Sequence, residues 1–220
     1  MINIIRKTYF IPTLIVAGML SFQAHSFPRY SGESIVPAST TFIQASTSQE
    51  KGAYIFVESM TNNGLAFISN KDLTKAQKSK KFKHLLNKSF DINAIGKFAV
   101  GRYWRQMNAK QQSEYLKLFR EMLISVYSKR FDEYQGQDVK LFDTVPLSEK
   151  DTLVKSKIID PDGGPDVPVD WRVRYKNGAY KIIDVLVAGV SMSVTQRSDF
   201  SSVIQRGGGD VSILIDHLKH

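Results

Sequence analysis

The chain has 220 residues, no cysteine and a formal net charge of +9, with 42% hydrophobic and 23% charged residues. That length suits one sizeable domain, and the composition is that of a globular protein rather than a disordered or fibrous one. The missing cysteines exclude disulfides, thiolate nucleophiles and cysteine-ligated zinc, and leave the redox compartment open.

Arg6 and Lys7 precede an apolar run from Tyr9 to Leu20, broken only by Pro12, Thr13 and Gly18, and Ala24-His25-Ser26 follows. A basic start, a short apolar run and small residues two apart make a secretory signal, with cleavage expected near Ser26. The run is short for a membrane span, and no later stretch reaches about 18 unbroken apolar residues, so the mature chain is expected to be soluble. Removing residues 1–26 takes away two basic residues and no acid, which lowers the net charge from +9 to +7. A basic exported protein points to anionic membranes or acidic protein partners rather than to nucleic acid.

Phe27 to Thr47 is rich in Ser, Thr, Pro and Gly without periodicity, and residues 27–51 read as a flexible leader. From Gly52 the pattern turns helical. Ala53, Phe56, Val57 and Met60 share a face, and Asn62-Asn63-Gly64 predicts an end or a kink. Lys71 to Lys88 holds seven lysines and one acid, while Leu73, Ala76, Phe82, Leu85 and Leu86 offer a buried side. This is either a solvated helix face or a docking patch for anionic headgroups or an acidic partner. Lys75, Lys78 and Lys81, with Arg102 and Arg105, are the candidate docking cations.

Asp91 predicts a helix cap before Ile92, Ile95, Phe98 and Ala99, and Gly101 a stop. Asn108, with Gln111 three residues on, opens a second helix. Its broad stripe is Tyr115, Leu118, Phe119, Met122, Leu123, Val126, Tyr127 and Phe131. Read to Tyr134, that helix would be about 40 Å long. Strands follow. Val139 and Leu141 alternate with polar residues, and Thr152–Ile159 is a second strand. Val167, Val169, Trp171, Val173 and Tyr175 alternate with polar residues up to an Asn177-Gly178 turn. The return strand reads from Tyr180 to Val194 as a nearly continuous apolar run, the mark of a strand covered on both faces, or on one face by protein and on the other by something else apolar. Two helices close the chain, one around Phe200, Val203 and Ile204, the other capped by Asp210. Helices followed by adjacent strands predict an α+β domain with an antiparallel meander of about four strands.

Catalytic chemistry finds little to work with. Of four histidines, His25 lies in the signal, His217 and His220 at the end of the chain, and His84 among lysines, none at metal spacing. Gly189-Val190-Ser191-Met192-Ser193 lacks the last glycine of a nucleophile elbow. Gly207 to Gly209 follows a helix and lacks a phosphate-binding Lys-Ser/Thr. Asp170, Asp184 and Asp199 read as surface, cap or ion-pair residues, though one buried Asp would suit an isomerase or hydratase. Arg172 and Arg174 fall on the strand face opposite Trp171 and Tyr175, which argues against base stacking. No catalytic or metal residue is assigned. A carrier of an apolar, anionic ligand fits the remainder, and so does a packed domain that binds none.

The segments FDINAIGKFAVGRYWR, DWRVR and DVLVAGVSMSVTQRSDFSSVI occur in this order within Ala53–Leu218. Together they resemble the MlaC family of periplasmic phospholipid-binding proteins, also called toluene-tolerance or ABC-transporter auxiliary proteins. The resemblance implies a cone related to the nuclear-transport-factor fold over residues 52–220, with a curved sheet wrapped by helices around an apolar cavity. It implies phospholipid as cargo with no other cofactor. The implied partners are an inner-membrane ABC transporter complex and an outer-membrane lipoprotein complex, with no nucleic acid. The implied role is a Gram-negative shuttle that maintains outer-membrane lipid asymmetry. On the apolar faces of the long helix and the hairpin, the expected lining is Val100, Tyr103, Trp104, Met122, Val126, Tyr127, Trp171, Val173, Val185, Val187 and Val190. Two features depart from the family pattern: the Asn62-Asn63-Gly64 region and the density of lysines from Lys71 to Lys88. An enzyme of the same fold acting on a small hydrophobic substrate, a carrier of another lipid such as a hopanoid, and a non-lipid adaptor are the alternatives.

Overall fold

The structure, a computed structural model, describes residues 40–219. The signal reading at residues 1–26 lies outside them. The described residues form six α-helices and five strands: α1 (Thr40–Ile68), α2 (Lys75–Ser89), α3 (Ile92–Val100), α4 (Ala109–Ser128), β1 (Asp138–Pro146), β2 (Asp151–Ile159), β3 (Val167–Lys176), β4 (Ala179–Val187), β5 (Val190–Ser191), α5 (Met192–Arg206) and α6 (Val211–His217). This is the α+β arrangement the sequence predicts, with an antiparallel sheet in the order β1-β2-β3-β4-β5.

The fifth strand comes from a turn the apolar run hides. Asn177 and Gly178 take φ of 53° and 77°, as the hairpin requires, and Ala188 and Gly189 repeat the geometry at 49° and 80°. The return strand therefore stops at Val187. Met192 and Val194 belong to α5, whose N-cap Ser191 accepts from the Val194 amide at 3.1 Å. Ala188 holds a conformation that costs a non-glycine residue about 1 kcal/mol. Its amide donates to Pro168 O at 2.8 Å, which offsets that cost.

Register gives the sheet two unlike faces. Val154 pairs with Trp171 and Trp171 with Val185, while Thr152 pairs with Val173 and Val173 with Ile182. Those rows turn toward α1, where Val154, Val173 and Ile182 pack with Ala53, Val57 and Met60. The opposite rows, Asp151-Arg174-Lys181 and Leu153-Arg172-Asp184, are mostly polar.

α1 differs from the sequence reading at both ends. It begins at Thr40, inside the span read as a leader, and runs through Asn62-Asn63-Gly64 to Ile68. A helical glycine costs about 1 kcal/mol relative to alanine. Packing on both sides of it outweighs that, since Val57 and Met60 are buried on the sheet and Phe67 meets Phe131 at 6.2 Å.

The other helices form a second core. Ala99, Val100, Tyr115, Phe119, Phe200, Ile204 and Leu214 are buried together from α3, α4, α5 and α6. Asp91 caps α3 by accepting from the Ala94 amide at 2.9 Å, and Asn108 and Gln111 make the predicted capping box. α4 ends at Ser128 rather than Tyr134, and at twenty residues is about 30 Å long. Phe131 follows on a short 3-10 turn, Phe131–Glu133, and there meets Phe82 at 5.5 Å.

Candidate functional site

A cleft of about 1100 Å³ lies between α1 and α2. That is slightly above the usual range for small-molecule sites, about 300–1,000 Å³. On α1, Ile55, Phe56, Ser59, Met60, Asn63, Ala66 and Phe67 line it. Steps of three and four residues put them on one helix face. From Ile55 to Phe67 this face extends about 18 Å at 1.5 Å per residue. That is close to the depth of one lipid leaflet, about half of a 30 Å hydrocarbon core.

α2 supplies the other wall and is fastened at both ends. Lys78 Nζ donates to Ile68 O at 2.6 Å across the α1–α2 turn, where Asn70 Oδ1 accepts from the Asp72 amide at 2.8 Å. Thr74 and Gln77 form a capping box at the start of the helix. At its end, Lys181 Nζ of β4 donates to Lys88 O and to Asn87 O, a cation on otherwise unsatisfied terminal carbonyls. In between, Ser128 Oγ of α4 donates to Ser79 Oγ at 3.1 Å.

The two sides of the cleft differ in chemistry. Phe56 stacks on Tyr180 at 6.0 Å, and Ile55, Met60, Ala66, Phe67, Leu73 and Leu85 complete the apolar lining. Lys80, Lys81, His84 and Lys88 project from α2, and none of the lining residues is acidic. A smaller recess of about 290 Å³ near Arg120 and Lys181 is lined mostly by polar residues. No group of three or more His, Asp or Glu among the described residues could hold a metal ion.

None of the eleven residues expected to line a pocket borders the cleft. Trp171, Val173 and Val185 share an apolar cluster with the lining residues Phe56, Met60 and Leu85. Tyr127 connects through aromatic contacts with Phe82 and on to Phe131 and Phe67. Val100, Tyr103, Trp104 and Met122 pack in the helical core, Val126 and Val190 are exposed, and Val187 is half-buried on β4. Among the docking cations, Lys81 is on the cleft wall and Lys75 pairs with Asp132. Lys78 is spent on the turn, Arg102 lies over the Tyr103 ring at 5.0 Å, and Arg105 is exposed. The sequence reading set Phe56 and Met60 on a helix face, and Leu73 and Leu85 on another. Ile55, Ala66 and Phe67 were missed because the Asn-Asn-Gly triplet seemed to end the helix before the last two.

Two polar constellations on the sheet serve structure. Asp184 accepts from Ser191 Oγ at 2.6 Å and from the Ser193 amide at 3.1 Å, which ties β4 to the start of α5. Asp151, unmarked in the sequence, is buried beneath two arginines. Arg174 Nε donates to it at 2.7 Å and Arg172 at 2.9 Å. The hydrogen bond from Arg174 is the first reason its carboxyl stays below the usual range, with Arg172 adding to it against the cost of burial.

The sequence model of the MlaC protein family matches residues 58–220. The chain belongs to the MlaC family. Its relatives include the Haemophilus influenzae protein named intermembrane phospholipid transport system binding protein MlaC, 24% identical over 126 residues, 56% of this chain and 59% of that one. The Pseudomonas putida toluene tolerance protein ttg2D is 24% identical over 133 residues, 60% of this chain and 61% of that one. The matched region thus spans about three fifths of each of these relatives. Among solved structures, the phospholipid-binding protein of Ralstonia solanacearum, in complex with a phospholipid, superposes with a TM-score of 0.66. It is 25% identical, and the match covers 76% of this chain and 94% of that one. No helix among the described residues of this MlaC-family chain is long and apolar enough to cross a membrane.

Proposed function

We propose that the protein is a periplasmic phospholipid-binding shuttle. It carries glycerophospholipid between an outer-membrane lipoprotein complex and an inner-membrane ABC transporter complex, and so maintains outer-membrane lipid asymmetry. The observation that carries this reading is the match over 94% of a chain solved with a phospholipid bound. The names of the two relatives support it, and an export signal at residues 1–26 supports the compartment.

The cleft supplies a physical basis. Each methylene taken from water is worth about 0.8 kcal/mol, so two acyl chains present on the order of 20 kcal/mol of exposure cost in transit. The acyl chains lie between α1 and α2 on Ile55, Phe56, Met60, Phe67, Leu73 and Leu85. Trp171, Val173 and Val185 form the layer behind them, from the list the sequence suggested. An open cleft with no covalent or metal hold also permits release, which a shuttle needs as much as capture.

Native mass spectrometry of the protein purified without denaturation tests the reading. The expected spectrum shows phospholipid bound in near-stoichiometric amount. Protein free of lipid even after incubation with phospholipid vesicles would overturn it, and a hopanoid adduct would transfer the carrier role to another lipid class.

A further inference from the structure

The cleft is charged on one wall only. Lys80, His84 and Lys88 recur every four residues along α2, about 6 Å apart along the helix axis, and Lys81 stands beside them. The α1 wall opposite offers Ser59 and Asn63 as its polar groups, with Asn70 in the α1–α2 turn, all of them neutral. Within the same helix, Lys75 is paired with Asp132 and Lys78 holds the α1–α2 turn. Lys80, Lys81 and Lys88 are exposed and have no carboxylate in ion-pair range among the described residues. Three lysines without a carboxylate partner, on a cleft with no acidic lining residue, make this wall favourable to an anion.

We infer that the cleft sorts its cargo by headgroup charge, favouring a phospholipid of net negative headgroup over a zwitterionic one of the same acyl length. The inference rests on the carrier reading above. Apolar lining and cationic wall meet along one edge, so tails laid on Phe56, Met60 and Leu85 leave the phosphodiester beside the lysine row. A zwitterionic headgroup brings its own cation to that row and loses by repulsion what its phosphate gains, whereas an anionic one does not. Lysine suits the task, being a flexible point charge that follows a mobile phosphate without demanding fixed geometry.

The test offers the mature protein a neutral-detergent micelle holding equal amounts of phosphatidylglycerol and phosphatidylcholine with identical acyl chains. Native mass spectrometry then reads both the ratio and the total of bound lipid. The expected ratio favours phosphatidylglycerol several-fold and falls to near one in the triple variant Lys80→Gln, Lys81→Gln, Lys88→Gln, with total lipid retained. A second triple, Lys71→Gln, Lys83→Gln, Lys110→Gln, removes the same charge outside the cleft and keeps the enrichment. Lipid bound in the donor ratio by the unaltered protein overturns the charge selection and leaves the carrier reading standing, whereas no lipid of either kind overturns both. Equal loss of enrichment in the two triples assigns the effect to net charge and overturns the placement. If inorganic phosphate abolishes the enrichment without releasing lipid, the row is a free-phosphate site and the inference fails.

Discussion

Gly52 of α1 and Tyr180 of β4 meet so closely that a Cβ on the glycine would lie 2.1 Å from the phenol oxygen and 2.6 Å from the ring carbon bearing it. The Tyr180 ring cannot swing away freely, because Phe56 stacks on it at 6.0 Å and Tyr175 packs against it at 4.7 Å. This contact sets how α1 lies on the sheet, and so where one wall of the cleft stands. Gly→Ala within a helix ordinarily stabilises by about 1 kcal/mol. Here Gly52→Ala is predicted to destabilise by about 1–3 kcal/mol through overpacking. In a Tyr180→Ala background the same change becomes neutral or stabilising, and urea unfolding midpoints of the four proteins measure that coupling.

Asp151 gives the fold an acid-side weakness. Arg174 and then Arg172 hold its folded carboxyl below the ordinary value, so the unfolded chain takes up the proton first as pH falls. Its contribution is therefore complete above about pH 4 and is lost as pH drops through the lower folded value. Asp151→Asn is predicted to cost about 1–3 kcal/mol at pH 7 by removing the acceptor of charge-assisted bonds. The variant loses less stability than the unaltered protein between pH 4 and pH 2, as thermal melts across that range show.

Ser156 is buried and serves two partners. Its hydroxyl donates to Val169 O at 2.5 Å and accepts from the Trp171 indole at 3.0 Å. Ser156→Ala leaves that indole N–H without its partner, at a predicted cost of about 1–3 kcal/mol. Trp171 belongs to the cluster behind the cleft floor, so its fluorescence should shift in the folded variant, whereas Trp104 in the helical core should not respond.

Bound lipid should respond to position on the surface rather than to apolar character alone. Ile55 is 52% exposed and lines the cleft, and Val126 is 45% exposed on α4 outside that lining. Charge at either exposed site should alter stability by no more than about 0.5 kcal/mol. Ile55→Glu is predicted to remove most bound phospholipid, and Val126→Glu to leave it in place, as read by lipid extraction from the folded proteins.

Local rules made much of the architecture legible before any coordinates. Asn177-Gly178 dictated the hairpin through backbone conformation, and Asp91, Asn108 and Asp210 announced their helices through side chains that accept from the first amides. Strand alternation placed Val169, Trp171 and Val173 on one face. What stayed hidden depended on distant partners. Ala188 gives no turn signal and is held left-handed by β3. Thr40 to Lys51 shows no periodicity on its own, and Gly64 looked like a stop because its neighbour on α2, Leu85, was unknown. The cleft was hidden for a related reason. A helix face that borders a cleft and one that only packs share one spacing, so only the fold tells that the Phe56–Phe67 face borders a cleft.

The most direct measurement is photo-crosslinking with a phospholipid that carries a diazirine within its acyl chain, followed by peptide mapping. Adducts on α1 between Ile55 and Phe67 and on α2 between Leu73 and Ser89 are the predicted result. Adducts confined to α4 and α5, or none at all from a lipid that remains bound, would contradict the placement of the tails between the first two helices.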